Sequence, residues 1–110
     1  MSNGKFHVKT DAAGEYRFNL VAANGQVILS SEGYSTRASC MNGIDSVKRH
    51  APREEWYERT LAANGRSHFN LKAANGEVIG TSQLYQDAQA MEKGMASVMS
   101  TAPAATVTAL

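Results

Sequence analysis

Hydrophobic positions along this chain switch twice between a period of two and a period near 3.6. Tyr16, Phe18, Leu20 and Ala22 alternate with Arg17, Asn19 and Val21, and Phe69, Leu71 and Ala73 alternate with His68, Asn70 and Lys72. Alternation of this kind predicts strands with one buried face. Asn24-Gly25 and Asn75-Gly76 follow, and these residue types predict hairpins of type I′, which need positive φ at both central positions. Further strands are expected over residues 26–30 and 77–82, and upstream over 6–10 and 56–61. Downstream, Cys40, Ile44 and Val47 fall at i, i+4 and i+7, matched by Met91, Met95 and Val98. Each set is one apolar helical stripe. Thr36 and Asp87 suit the N-cap positions, with Ser35 an alternative in the first copy, Pro52 stops the first helix and Pro103 follows the second. Residues 104–110, with β-branched alternation, form either a last strand or a fraying tail.

The recurrence is a duplication. At an offset of 51, residues 6–48 match residues 57–99 at 16 of 43 positions, and the longest block runs from Phe18-Asn19-Leu20 to Val27-Ile28 against Phe69-Asn70-Leu71 to Val78-Ile79. Residues 1–51 are therefore read as a first β-β-β-α repeat, and residues 52–110 as a second with a C-terminal strand or tail. A unit of ~50 residues is near the lower limit for a self-sufficient core, so the two are expected to complete one compact domain. Gly43 and Gly94, both inside helices at ~1 kcal/mol against Ala, predict that each helix backbone approaches the sheet closely there.

Gly14-Glu15-Tyr16-Arg17-Phe18, Ala22-Ala23-Asn24-Gly25-Gln26-Val27-Ile28, and Ser31-Glu32-Gly33-Tyr34 leading into Cys40-Met41-Asn42-Gly43-Ile44 resemble the YegP-like family of small bacterial proteins. The second copy departs with Ser67-His68 in place of Tyr16-Arg17 and Leu84 in place of Gly33. The resemblance implies an α+β fold: two β-β-β-α(-β) units forming one antiparallel sheet, helices on one face, and C-terminal strands exchanged between units. It implies no biochemical activity and no catalytic motif.

Composition narrows the function classes. The chain has 110 residues, 43% hydrophobic and 19% charged, with 11 Lys plus Arg against 10 Asp plus Glu. These values exclude a disordered or collagen-like chain, and no apolar run reaches the ~20 residues of a membrane span. A formal charge of +1 sets up no field that recruits nucleic acid, an anionic membrane or acidic substrates. The N-terminal residues carry no secretory pattern, so a cytoplasmic location is expected. Cys40 is the only cysteine, which excludes an intramolecular disulfide and suits a reducing compartment.

Candidate chemistry is sparse. Dinucleotide and phosphate-loop glycine motifs, the zincin His pair and the nucleophile elbow are all missing, so neither an enzyme nor a cofactor is expected. His7, His50 and His68 fall on separate predicted elements, so no metal site is expected, and solvated or hairpin-edge roles are favoured for them. Cys40 aligns with Met91 on a buried stripe and reads as a core residue, while Met91 and Met95 read as core filler. Lys48, Arg49, His50 and Arg53 suit a helix C-terminus without needing a nucleic-acid partner.

The opposite sheet face is different. With Tyr16, Phe18 and Leu20 turned to the helices, Arg17, Asn19, His68, Asn70 and Lys72 face away, toward solvent or a ligand. Asn19 and Asn70 recur at one strand position although strand propensity disfavours Asn. The expected protein is a non-enzymatic binding or interaction module, a monomer with an internal pseudo-dimer and no membrane partner. The alternative is a small-molecule or nucleic-acid binder using that face, with nucleic acid disfavoured because the aromatic residues point inward.

Overall fold

In a computed structural model, which describes residues 4–61 and 64–109, seven strands form one sheet with both long helices on one side. The first repeat supplies β1 (Lys5–Thr10), β2 (Tyr16–Val21), β3 (Val27–Ser30) and α1 (Arg37–His50). The second supplies β4 (Tyr57–Leu61), β5 (Ser67–Lys72), β6 (Val78–Thr81), α2 (Ala88–Thr101) and β7 (Thr106–Ala109). The order across the sheet is β4-β5-β6-β3-β2-β1-β7. The fold is thus the expected α+β arrangement of two tandem repeats.

Every neighbouring pair is antiparallel except β1 and β7, which run parallel with Phe6 opposite Val107. The sheet is therefore mixed, where a wholly antiparallel one was expected. β7 is reached through α2 and a short 3-10 turn, Ala102–Ala104, and a strand delivered by such a crossover is free to lie parallel to its neighbour. The C-terminal residues 106–109 do form a strand, and it crosses from the second repeat to the outer edge of the first.

Each turn after a strand works through a single glycine. The N–H of Gly25 donates to the Ala22 carbonyl, the Gln26 N–H donates to the Asn24 side-chain oxygen, and Gly25 has φ +85°. Gly76 repeats this with Asn75. Among the described residues no non-glycine has positive φ, so the turns are not the expected type I′. They follow the pattern of a type I turn closed by a left-handed glycine, which puts Asn to use as an acceptor.

The core lies between sheet and helices. Phe6, Val8, Phe18, Leu20, Leu29, Phe69 and Leu71 from the sheet meet Cys40, Ile44, Val47, Met91, Met95 and Val98 from the helices. Each helix crosses strands of the other repeat, α1 over β5 and β6 and α2 over β3. Thr36 Oγ1 caps α1 by accepting from the Ser39 N–H, and Asp87 Oδ1 caps α2 by accepting from the Ala90 N–H. Helix glycines make room for tyrosine: a β-carbon at Gly43 would meet the Tyr34 ring, and one at Gly94 the Tyr85 ring. Those rings stack on Phe18 and Phe69 respectively.

Candidate functional site

Helices cover one face of the sheet, and the other carries the alternate residues of every strand. In register across it stand Glu58, Asn70, Thr81, Ser30, Asn19, His7 and Thr108, one from each strand in the order β4 to β7. At ~4.8 Å between strands this polar row spans ~29 Å. Sequence reasoning found only its two asparagines. Extending the two-residue parity of Val8 and Tyr57 to His7 and Glu58 would have found two more, but Ser30, Thr81 and Thr108 need the strand order.

The two halves of the row differ. In the second repeat the Thr81 hydroxyl donates to Asn70 Oδ1 at 2.9 Å, Asn70 Nδ2 donates to Glu58 Oε1 at 3.4 Å, and Lys72 Nζ donates to Glu58 Oε2 at 2.9 Å. Lys72 and Asn70 together hold the Glu58 carboxyl below its ordinary range, Lys72 most of all. Among the described residues, the side chains of Ser30, Asn19, His7 and Thr108 make no hydrogen bond to protein. One half is closed on itself and the other is open.

The remaining face residues are placed as follows. Arg17 Nε donates to Asp11 Oδ2 at 2.7 Å and its Nη1 reaches the Ser31 carbonyl at 3.4 Å. Asp11 Oδ1 meanwhile accepts from the Ala13 and Glu15 N–H groups. The Arg17 hydrogen bond is the main cause that lowers the Asp11 pKa. His68 takes the place of Arg17 in the second repeat, and its Nδ1 is shielded from solvent without a partner. The five residues singled out in the sequence thus share one face, but Arg17, Asn70 and Lys72 are already engaged.

Two clefts open at the hairpin end of this face. One, about 270 Å³, is lined by Lys5, His7, Val21, Ala22, Ala23 and Gly25. The other, about 360 Å³, is lined chiefly by Trp56, Glu58, Lys72, Ala73, Ala74 and Gly76. These six residues are the counterparts of the first six at the offset of 51. The duplicated chain therefore carries one cleft twice with different chemistry: Lys5 corresponds to Trp56, His7 to Glu58, and Val21 to Lys72.

The second cleft is braced from behind. Nε2 of His50, at the end of α1, accepts from the Ala74 N–H at 3.1 Å, Nδ1 lies 2.8 Å from the Ser46 carbonyl, and the ring packs edge-on against Trp56. An Nε2 that accepts leaves the proton on Nδ1, the neutral tautomer. Of the solvated and hairpin-edge roles expected for the histidines, His50 thus takes the second, against the turn between β5 and β6. Nearby, the Tyr57 hydroxyl donates to the Ala51 carbonyl at 2.8 Å.

Comparison with known proteins places these features in a family. The domain of unknown function DUF1508 matches residues 11–58 and again 62–108. A UPF0339 protein in the ptx operon 5′ region of Stutzerimonas stutzeri is 48% identical over 105 residues, covering 96% of this chain and 95% of that one. The UPF0339 protein YegP of Escherichia coli strain K12 is 45% identical over 104 residues, 94% of each chain. Among solved structures, the solution NMR structure of yegP from E. coli, described as a protein of unknown function, superposes with TM-score 0.94 at 43% identity. It covers 99% of this chain and 94% of that one. The solution NMR structure of a UPF0339 protein from Shewanella oneidensis gives TM-score 0.93 at 40% identity, covering 98% and 92%.

Proposed function

This chain belongs to the DUF1508 family, whose unit it carries twice, and on that premise we propose that it is a non-enzymatic binding module working through the outer face of its sheet. The observation that carries the reading is the cleft found at equivalent positions in both repeats. A fold that only needed a solvated outer face would have no use for matching concavities flanking a continuous polar row. Concave sites with a few convergent polar groups are where small ligands bind. No helix among the described residues is long and apolar enough to cross a membrane, so this face is not withdrawn by such a span.

A binding role is favoured over catalysis by what the face presents. His7 and His68 stand on β1 and β5, separated by three other strands, and Cys40 lies buried on the helix side. A nucleophile and base within hydrogen-bond reach is the signature of acyl or group transfer, and these residues do not supply one.

The test is an amide chemical-shift titration of the full chain against a panel of phosphate esters, monosaccharides and dipeptides. Shifts confined to β1, β2, β5 and the turns at Ala22–Gly25 and Ala73–Gly76 are expected for at least one class. Shifts confined to the helix face or to the free edge of β4 would overturn the reading.

A further inference from the structure

The two clefts differ most in how their charges are compensated. In the second, the Lys72 ammonium is already neutralised by Glu58. In the first, the counterpart of Glu58 is His7, and no carboxylate lines the cleft. Lys5 lines it, and Lys9 lies two residues beyond His7 on the same face of β1; both are exposed and make no ion pair among the described residues. Thr108 and Asn19 flank His7 in register on either side, each with an unused side chain. Lys5 and His7 thus share a cleft that no carboxylate lines, with Asn19 and Thr108 beside His7 in the sheet register.

We infer that the first-repeat cleft, lined by Lys5 and His7, binds the phosphate group of a small phosphate ester, an inference that rests on the outer face being the working surface. The planar fork of arginine grips carboxylate and phosphate alike, and the one arginine on this half of the face, Arg17, is occupied by Asp11, so recognition here falls to lysine. A lysine acting as a point charge, as Lys5 does here, suits a phosphate, which accepts from several directions. A cleft of about 270 Å³ has room for a phosphate together with a small ester group. No Phe, Tyr or Trp lines it, so the extended aromatic platform on which a single-stranded nucleic acid stacks is missing there. Val21, the apolar counterpart of Lys72, forms part of the wall, and with His7 in the place of Glu58 no carboxylate lining the cleft compensates Lys5.

The experiment is an amide-shift titration of the labelled full chain with inorganic phosphate, glycerol phosphate, sodium acetate and an oligothymidylate, all at matched ionic strength. Saturable shifts at Lys5, His7, Val21 and residues 22–25 are expected with phosphate and glycerol phosphate, and not with acetate. Lys5→Glu, a change at an exposed position, should weaken binding by about tenfold or more through charge reversal. His7→Gln should weaken it less, since an amide donor replaces the imidazole. Equal shifts with acetate, or unchanged affinity in Lys5→Glu, would overturn the inference. Tighter binding of the oligothymidylate than of either phosphate would reassign the cleft to nucleic acid and overturn it as well. Phosphate shifts at the second cleft would overturn the inference while leaving the outer-face reading intact, whereas no shift anywhere on that face across the wider panel would remove both.

Discussion

Leu29 packs its side chain over Gly80, the residue that stands at its own position in the second repeat. Beside them Ser30 pairs with Thr81, another equivalent couple, so the internal two-fold relation of the repeats runs through this point. Two leucines would compete for one space there. The two repeats avoid the conflict by carrying leucine at one of the two equivalent positions and glycine at the other.

The pair therefore supports a swap experiment. Gly80→Leu alone overpacks the junction and should cost about 1–3 kcal/mol. Leu29→Gly alone leaves a cavity at a residue only 1% exposed and should cost about 2–5 kcal/mol. The double exchange restores one leucine to the space and should recover more than half of the summed loss in urea denaturation. Strictly additive losses would mean that the two positions do not share a cavity.

The Glu58–Lys72 pair makes a prediction about acid. The Glu58 carboxyl is held below its ordinary range by Lys72 first and Asn70 second. A group whose folded pKa is depressed adds stability above its unfolded pKa and loses it as pH falls through the folded value. Glu58→Gln should thus leave neutral-pH stability nearly unchanged, because exposed pairs contribute little, and flatten the acid limb below the usual glutamate pKa of about 4.3. A carboxyl NMR titration of Glu58 checks the direction; a midpoint at or above that value contradicts the pairing.

How much was legible in the sequence follows from the range of each interaction. Strand alternation, the helix stripes of Cys40-Ile44-Val47 and Met91-Met95-Val98, and the caps Thr36 and Asp87 are local, and all appear where residue spacing puts them. The parallel seating of β7 was not legible, since nothing in residues 106–109 encodes which edge they join. Turn type was misread because Asn tolerates positive φ, whereas here Asn24 and Asn75 serve as acceptors and glycine alone takes the left-handed position. The clefts were hidden for a different reason. They join β1 to the β2–β3 hairpin, and only the offset of 51 combined with strand pairing reveals that Trp56 occupies the place of Lys5.

Cys40 is fully buried on the inner face of α1, and burial raises its thiol pKa, with Arg37 opposing. A raised pKa means little thiolate at neutral pH. Labelling by a disulfide reagent should be slow in the native protein and fast in denaturant. Cys40→Ala should cost about 1–2 kcal/mol as a small core truncation. Rapid native labelling would place the thiol at the surface.

Each repeat lends strands to the other's helix, so neither is expected to persist alone. A fragment of residues 1–51 would expose the edge of β3, the face of α1 that covers β5 and β6, and the outer edge of β1 that β7 covers. Exposed strand edges with an apolar face invite pairing. The fragment should be unfolded or self-associated by sedimentation and circular dichroism. A monomer with cooperative melting would show that one unit carries a sufficient core.

Asn19 and Asn70 occupy one position in the two repeats, yet they should respond in opposite ways to the same substitution. Asn70 is held between the Thr81 hydroxyl and the Glu58 carboxylate, so Asn70→Thr removes two side-chain bonds and should cost about 1 kcal/mol. Asn19 makes no such bond among the described residues, and threonine has the higher strand propensity, so Asn19→Thr should leave the melting temperature unchanged or raise it. Retaining a residue that strand stability would replace is what a contact with a ligand explains. In the shift titration, then, Asn19→Thr should weaken phosphate-ester binding beside His7 while Asn70→Thr should not. Equal destabilisation by both changes would assign Asn19 a structural role, and unchanged binding in Asn19→Thr would move the ligand contact off the polar row.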